Sequence, residues 1–228
     1  MSDLSVKRRT SPSPPAKARQ SFGLTTGKAS LATLCLPSLP SVVAAYVTKF
    51  VNFRRMKQII LLSGPIGAGK TTVAKELIAC TAGPLAYIEG DTFWSHLIRT
   101  PKGLPRHKSF KMIMTSMIGA ALPHALYGYE VLLDFSIPPW FLETADKVVR
   151  RMEVPLDYVV LRPAESICAA RAAGRAEGII DDYAHYHDLY ADFQDVSRRH
   201  LIVNDQTGPA ATARQIREGL DEGKFRLL

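Results

Sequence analysis

The 228-residue sequence has few cysteines, and they form no recognisable set. Cys35, Cys80 and Cys168 are widely separated and lack the C-x-x-C or Cys/His spacing of metal sites. This argues against a disulfide framework and against a structural zinc site. It predicts reduced thiols that act as small core residues.

Long apolar runs are missing as well. A transmembrane helix needs roughly 18 or more consecutive apolar residues. The only candidate, residues 31–48, is interrupted by Pro37 and Pro40. We therefore expect a soluble, cytoplasmic protein that does not bind membranes.

The greater part of the chain also lacks an excess of charge, although the whole sequence carries a formal charge of +8. Residues 1–55 hold nine Lys and Arg against the single acid Asp3, which leaves 20 basic and 20 acidic residues in 56–228. A basic protein often binds nucleic acid, but here the charge lies outside the predicted globular part. A nucleic-acid partner is therefore not expected.

Residues 1–55 are rich in Ser, Pro, Lys and Arg and have no hydrophobic period, so they are predicted to be disordered. Three interpretations are open. The segment could be an organellar targeting sequence, a solvated tail that contacts anionic partners, or an upstream extension of a protein whose translation starts at Met56. The folded domain is predicted to span residues 56–228.

The most specific signal is a glycine-rich motif directly after a predicted buried strand at residues 58–63. Residues 64–71, GPIGAGKT, match G-x-x-x-x-G-K-[ST], the Walker A motif of phosphate-binding loops. Glycines let backbone N–H groups approach a phosphate, and the following helix contributes its positive N-terminal end. Lys70 would reach the β- and γ-phosphates, and the Thr71 hydroxyl would bind Mg²⁺. The predicted nucleotide-binding residues are Gly64, Gly67, Ala68, Gly69, Lys70, Thr71 and Thr72.

Apolar strands alternate with helical segments along the rest of the chain. Strands are predicted at 58–63, 85–90, 129–135, 156–162 and 200–205, and helices at 72–79, 110–126, 138–152, 164–178, 181–199 and 209–223. This alternation is typical of a compact three-layer α/β domain with a parallel sheet.

Several of these segments together resemble one group of proteins. They are the glycine motif, EGD (89–91), VLLDFS (131–136), and VVLRPAESICAARAAGRAEG (159–178) followed by LYADF (189–193). On these segments, residues 57–222 resemble the small P-loop kinases that phosphorylate metabolites, the group of chloramphenicol phosphotransferase, gluconate kinase and shikimate kinase. The resemblance implies a P-loop NTPase fold with a five-stranded parallel sheet, helices on both faces and a small lid. It also implies ATP and Mg²⁺ as cofactors and a small molecule with a hydroxyl group as acceptor.

Two acids follow predicted strands, at the sheet edge where ligands of open α/β folds bind. The resemblance implies that Asp91 meets the acceptor hydroxyl, as a base or as an orienting group; alternatively, Asp91 caps the helix that begins at Thr92. Asp134 could hold a Mg²⁺-bound water as Walker B acids do, or could be an ordinary turn carboxylate. The sequence does not determine which acid lies nearer the metal.

Two arginines are candidates for phosphate contacts. Arg171 and Arg175 are four residues apart in a predicted helix, hence on one face. Guanidinium groups suit phosphate oxygens, and the resemblance places both at the start of a lid with Gly174 and Gly178 as flexible points. The alternative is a solvated cationic face, and Arg162 is a weaker candidate.

The segment from Asp91 to Glu130 has no acid between its ends but contains the cations Arg99, Lys102, Arg106, Lys108 and Lys111. This makes an anionic or phosphorylated acceptor one hypothesis, and an exposed basic loop the other. Asn204 and Asp205, at the end of the last strand, are predicted to border the adenine pocket.

The sequence thus predicts an ATP- and Mg²⁺-dependent small-molecule kinase, a monomer or homodimer. Its predicted catalytic residues are Lys70, Asp91, Arg171 and Arg175, and its predicted metal ligands are Thr71 and Asp134. The alternatives are a polynucleotide 5′-hydroxyl kinase, or a non-kinase switch or scaffold that hydrolyses ATP slowly.

Overall fold

The structure is a computed structural model that describes residues 56–176 and 178–227. The basic segment 1–55 lies outside the described residues, so its predicted disorder and the three interpretations of it stay predictions. Cys35 lies there too.

Five parallel strands form one sheet, in the order β2-β3-β1-β4-β5. They are β1 Ile59–Ser63, β2 Leu85–Glu89, β3 Glu130–Asp134, β4 Leu156–Leu161 and β5 Leu201–Ile202. The predicted fold class, α/β with a five-stranded parallel sheet, is confirmed. Because all strands run the same way, the residues that follow them meet at one edge of the sheet, with the end of β1 at its centre.

Helices connect the strands. They are α1 Lys70–Cys80, α2 Thr92–Ser95, α3 Arg106–Leu126, α4 Leu142–Arg150, α5 Glu165–Ala173, α6 His187–Ala191 and α7 Pro209–Asp221, with 3₁₀ turns at Pro139–Phe141, Tyr183–Tyr186 and Arg198–His200. None of the helices in the described part of the chain is both long and apolar enough to cross a membrane.

The sheet is covered by helices on both faces, as predicted. Strand β1 is buried along its whole length. Ile59 and Leu61 belong to the core under α3 and α4, whereas Ile60 and Leu62 belong to the core under α1 and α7. Side chains of a strand alternate between faces, so a strand covered on both sides is apolar throughout. This double burial fixes the position of the loop that follows β1.

The cysteines follow their predicted role in one of the two described cases. Cys168 is buried, but Cys80 is exposed, so the prediction of a core thiol is wrong at Cys80. Cys80 is the last residue of α1, beyond the buried Leu77, and its Sγ lies 3.3 Å from the Leu77 carbonyl oxygen.

The predicted helix at 181–199 is wrong in most of its length. Only α6 and two short 3₁₀ turns form there. The Asp182 carboxylate accepts a hydrogen bond from the Ala184 N–H and starts a turn instead. The segment also packs against both faces of the sheet, since Tyr183 belongs to one core and Phe193 to the other. The chain turns between them.

Candidate functional site

The connection between β1 and α1 is a tight loop that contains the glycine motif. Gly64, Gly67 and Gly69 all have positive φ, at 139°, 81° and 88°. A Cβ on Gly64 would lie 2.1 Å from the Leu161 carbonyl oxygen, and one on Gly67 would lie 2.1 Å from that of Cys168. The loop therefore requires glycine at both positions, for backbone conformation and for space.

Gly67→Ala tests this requirement. We expect a loss of at least about 2 kcal/mol in the free energy of unfolding, from overpacking and strained φ, together with loss of nucleotide binding. Urea unfolding and a nucleotide titration measure the two effects. The matched control is Gly119→Ala in α3, where a Cβ meets no atom within 4 Å, and which should raise stability by about 0.5–1 kcal/mol. Equal effects of the two substitutions would contradict the assignment.

The carbonyl oxygens of the loop accept hydrogen bonds from groups around it. Lys70 Nζ donates to the carbonyl oxygens of residues 64 and 65, at 3.1 and 3.0 Å. Tyr183 Oη donates to the Ile66 oxygen at 2.6 Å, and Asn204 Nδ2 donates to the Ala68 oxygen at 3.0 Å. The first N–H groups of α1 have no carbonyl partner within the helix and point toward the loop. The loop and helix end thus have the arrangement that binds anions in phosphate-binding loops.

Lys70 lies where several charges meet. Its ammonium group also donates to Ser136 Oγ, at 3.0 Å. Burial lowers the pKa of Lys70; the nearby Asp134 and Asp91 oppose this shift, and Arg175 adds to it. Lys70 therefore interacts electrostatically with two acids and a second cation near the carboxyl edge of the sheet.

Asp134 is the acid that contacts the loop helix. It ends β3, which pairs with β1 so that Leu62 and Asp134 are neighbours. Its side chain is buried, and Asp134 Oδ2 accepts hydrogen bonds from Thr71 Oγ1 at 2.7 Å and Tyr87 Oη at 3.1 Å. Burial, followed by the Asp134 charge, raises the pKa of Tyr87, so the phenol stays a donor.

Asp91 is exposed and follows β2. It precedes α2 without forming a side-chain cap, so the structure gives no support to the capping alternative. Gly90 fixes its position: the Gly90 N–H donates to the Asp134 carbonyl oxygen at 2.9 Å, and a Cβ on Gly90 would lie 2.4 Å from the Phe135 ring. The Asp91 backbone therefore lies directly beside the end of β3.

The two predicted arginines do not lie on one helix face, so that prediction is wrong. Helix α5 ends at Ala173, and Arg175 lies in the loop beyond it, exposed. Arg171 remains in α5, and its Nη2 donates to the Asn204 carbonyl oxygen at 2.9 Å. Arg171 is thus held by a hydrogen bond to the backbone, whereas Arg175 is exposed. Arg162 donates hydrogen bonds to the Phe193 and Gln194 carbonyl oxygens, which indicates a structural role.

The remaining predicted residues lie around the loop. Ala68 is fully buried, Gly69 directly precedes α1 with the Arg171 guanidinium beside it, and Thr72 is exposed in the first turn of α1. The side chains of the five cations between 99 and 111 are exposed.

Three residues that make contacts at the site had no predicted functional role. Tyr183 donates to the loop carbonyl of Ile66, 117 residues away, Ser136 accepts from Lys70, and Tyr87 contacts Asp134. Ser136 alone had a local signal, since it follows Asp134 by two residues at the end of a strand.

A central strand that ends in a Walker A loop, with an acid on the strand next to it, defines the fold of P-loop nucleotide-binding proteins. No family model and no curated protein matches this chain. Solved structures do. A sugar kinase from Janibacter sp. HTCC2649 is 18% identical, with 72% of this chain and 95% of that chain covered and a TM-score of 0.56. The same four values describe the tunicamycin resistance protein of Deinococcus radiodurans.

The APS kinase of Mycobacterium tuberculosis, solved with AMPPNP and APS, is also 18% identical, with 73% of this chain and 98% of that chain covered and a TM-score of 0.56. At these identities the likeness establishes the fold. The resemblance to small P-loop kinases inferred from the sequence is confirmed at that level.

Proposed function

We propose that the protein is a phosphotransferase that moves the γ-phosphate of ATP to a hydroxyl group of a small molecule, with Mg²⁺. The observation that supports this best is the set of contacts at the loop: Lys70 donates to two loop carbonyl oxygens, Thr71 donates to Asp134 on the neighbouring strand, and Gly90, the residue before Asp91, donates to the Asp134 carbonyl oxygen. A phosphate-binding loop alone would serve a switch equally well. An exposed acid near the loop, Asp91, is suited to orient the hydroxyl group of a second molecule.

In this proposal the loop amides, Lys70 and Arg175 bind and orient the phosphates. The acceptor oxygen forms a bond to the γ-phosphorus while the bond to the β–γ bridging oxygen breaks, and ADP leaves with that electron pair. The acceptor proton passes to the Asp91 carboxylate. Because the transition state of phosphoryl transfer is loose, orientation of the hydroxyl by Asp91 contributes more than proton removal.

Thr71 and Asp134 fit a site for Mg²⁺. The ion prefers oxygen ligands, and the Thr71 hydroxyl and the Asp134 carboxylate lie 2.7 Å apart, with a phenol fixing the same carboxylate oxygen. When bound there, Mg²⁺ supplies positive charge to the phosphate oxygens. Asp134 would hold one of its waters, and Thr71 would ligate it directly.

A transfer assay tests the proposal. The protein is incubated with ATP, Mg²⁺ and a metabolite extract, and mass spectrometry is used to find molecules that gain a phosphate. A 5′-hydroxyl oligonucleotide is added as a separate acceptor. Phosphorylation of a small molecule supports the proposal; phosphorylation of the oligonucleotide alone, or ATP hydrolysis without any phosphorylated product, refutes it.

The two arginines should differ in their effects. Arg175→Ala removes an exposed cation near Lys70, so we expect kcat to fall about 100-fold with little change in stability. Arg171→Ala frees the Asn204 carbonyl, so we expect about 1 kcal/mol less stability and about tenfold weaker ATP binding. Steady-state kinetics, ATP titration and urea unfolding measure these effects. Indistinguishable profiles would contradict the separation of roles.

A further inference from the structure

A set of aromatic side chains lies at the sheet edge that carries the two acids. Phe110 of α3 is at its centre, with ring centroids 5.3 Å from Phe135, 6.3 Å from Trp94 and 6.4 Å from Trp140. Interplanar angles of 31–47° are those of tilted, partly stacked rings. These four residues are called the aromatic wall below.

The wall is joined to both acids through the backbone. Phe135 directly follows Asp134, and its ring lies against Gly90, the residue before Asp91. Trp94 is one helical turn beyond Asp91, and its N–H donates to the Asp91 carbonyl oxygen at 3.2 Å. A molecule with a hydroxyl at Asp91 would therefore have its body next to the wall.

Trp140 shows that the wall is more than an extension of the core. It lies in the 3₁₀ turn Pro139–Phe141, in which Phe141 is 1% exposed and anchors the turn, while Trp140 is 51% exposed. Two prolines precede it and restrict the backbone. A half-exposed indole beside other rings offers a face on which a flat ligand can stack.

The cations of residues 99–111 argue for a different acceptor, but their side chains are exposed and the structure fixes none of them at Asp91. Phe135, Phe110 and Trp94, in contrast, belong to or pack on the core, and the Trp140 ring lies 6.4 Å from that of Phe110. We propose that the acceptor is an alcohol carried by an aromatic ring, and that the ring stacks on the aromatic wall while the hydroxyl meets Asp91. This inference rests on the proposed phosphotransferase function.

Tryptophan fluorescence tests it directly. The chain has two tryptophans, and both, Trp94 and Trp140, are in the wall, so tryptophan emission reports on this surface alone. The probe is 1-phenylethane-1,2-diol, with excitation at a wavelength that the phenyl group does not absorb. The matched probe is 1-cyclohexylethane-1,2-diol, which has the same hydroxyls without a π-face, and gluconate represents an anionic polyol.

We expect the phenyl diol to change the emission saturably and to bind at least threefold more tightly than the cyclohexyl diol. Trp140→Leu, read through Trp94, should raise the Kd of the phenyl diol about tenfold. Tyr127→Leu is the control, because Tyr127 is also exposed but follows α3 at the opposite sheet edge. The Kd of the phenyl diol for this variant should equal that for the parent protein. Circular dichroism and thermal unfolding establish that each variant is folded.

Three results would overturn the inference. The first is the absence of a saturable change in emission with the phenyl diol. The second is an unchanged Kd of the phenyl diol in folded Trp140→Leu protein. The third is binding of the cyclohexyl diol or gluconate as tight as that of the phenyl diol. The titration needs no turnover, so it is independent of the transfer assay. Binding to the wall without ATP-dependent phosphorylation of any alcohol would refute the phosphotransferase proposal and leave the ligand class standing.

Discussion

Lys70→Ala is expected to lower phosphate transfer by about 10³-fold or more while the protein stays folded. The ammonium group is the only side-chain cation of the described residues that contacts the loop backbone directly. In the proposed reaction it would exchange its two loop carbonyl partners for phosphate oxygens that gain charge in the transition state. A loss of 10³-fold corresponds to about 4 kcal/mol of transition-state stabilisation, as for a removed oxyanion donor.

The fold should tolerate this change. Burial lowers the pKa of Lys70, which means that the environment disfavours the charged form even with two acids nearby. Alanine removes that cost, whereas the carbonyl oxygens of the buried Gly64 and Pro65 lose a donor, so the two effects oppose each other. We therefore expect the free energy of unfolding to change by no more than about 1 kcal/mol.

Lys75→Ala is the matched control for this prediction. Lys75 lies in the same helix and is exposed, so its loss removes a charge of the same kind at a similar position in the sequence. Its kinetics and its unfolding curve should match those of the parent protein. Transfer that persists in folded Lys70→Ala, or falls equally in Lys75→Ala, would remove Lys70 from the proposed site.

The loop was predictable because its residues are consecutive. Strand, glycines, lysine and threonine lie within 14 positions, residues 58–71, and their chemistry depends on that local order. The partner of Thr71 was not predictable in this way. Asp134 was a candidate, but its contact with Thr71 depends on β3 being the neighbour of β1, and a sequence shows strands without showing their order.

The wrong prediction for the two arginines has a local cause. The separation of Arg171 from Arg175 follows from Gly174, at which α5 ends, and a glycine is a recognised signal for a helix end. The aromatic wall gives no such signal. Its members come from α2, α3, the residue after β3 and a 3₁₀ turn, and each alone is typical of a core residue. Only the fold brings them to the edge where the acids lie.

Asp134→Asn and Asp91→Asn are expected to produce two different defects, although both remove one carboxylate charge at the same sheet edge. Asp134 accepts from Thr71 and Tyr87, so its loss should disturb the proposed metal site. Asp91 is exposed and makes no side-chain cap, so its loss should affect the acceptor alone.

For Asp134→Asn we expect transfer to fall by about 10²–10³-fold and the Mg²⁺ concentration at half-maximal rate to rise about tenfold or more. Stability should fall by no more than about 1 kcal/mol, because both donors bind the same carboxylate oxygen and an amide oxygen can accept both hydrogen bonds without the charge. Nucleotide binding measured with EDTA should change little. Tyr87→Phe, which keeps the charge and removes one of the hydrogen bonds, should give a smaller defect of the same kind.

For Asp91→Asn the same titrations should give an unchanged Mg²⁺ requirement and unchanged stability, with kcat lower by about 10–100-fold, at the low end of the range for a general base because the transition state is loose. Comparing the two variants shows which of the two acids lies nearer the metal. If Asp91→Asn shifts the Mg²⁺ requirement and Asp134→Asn does not, the two roles are exchanged. A hydrogen bond from Thr71 to Asp134 would then be a structural contact, and the metal would lie nearer β2 than β3.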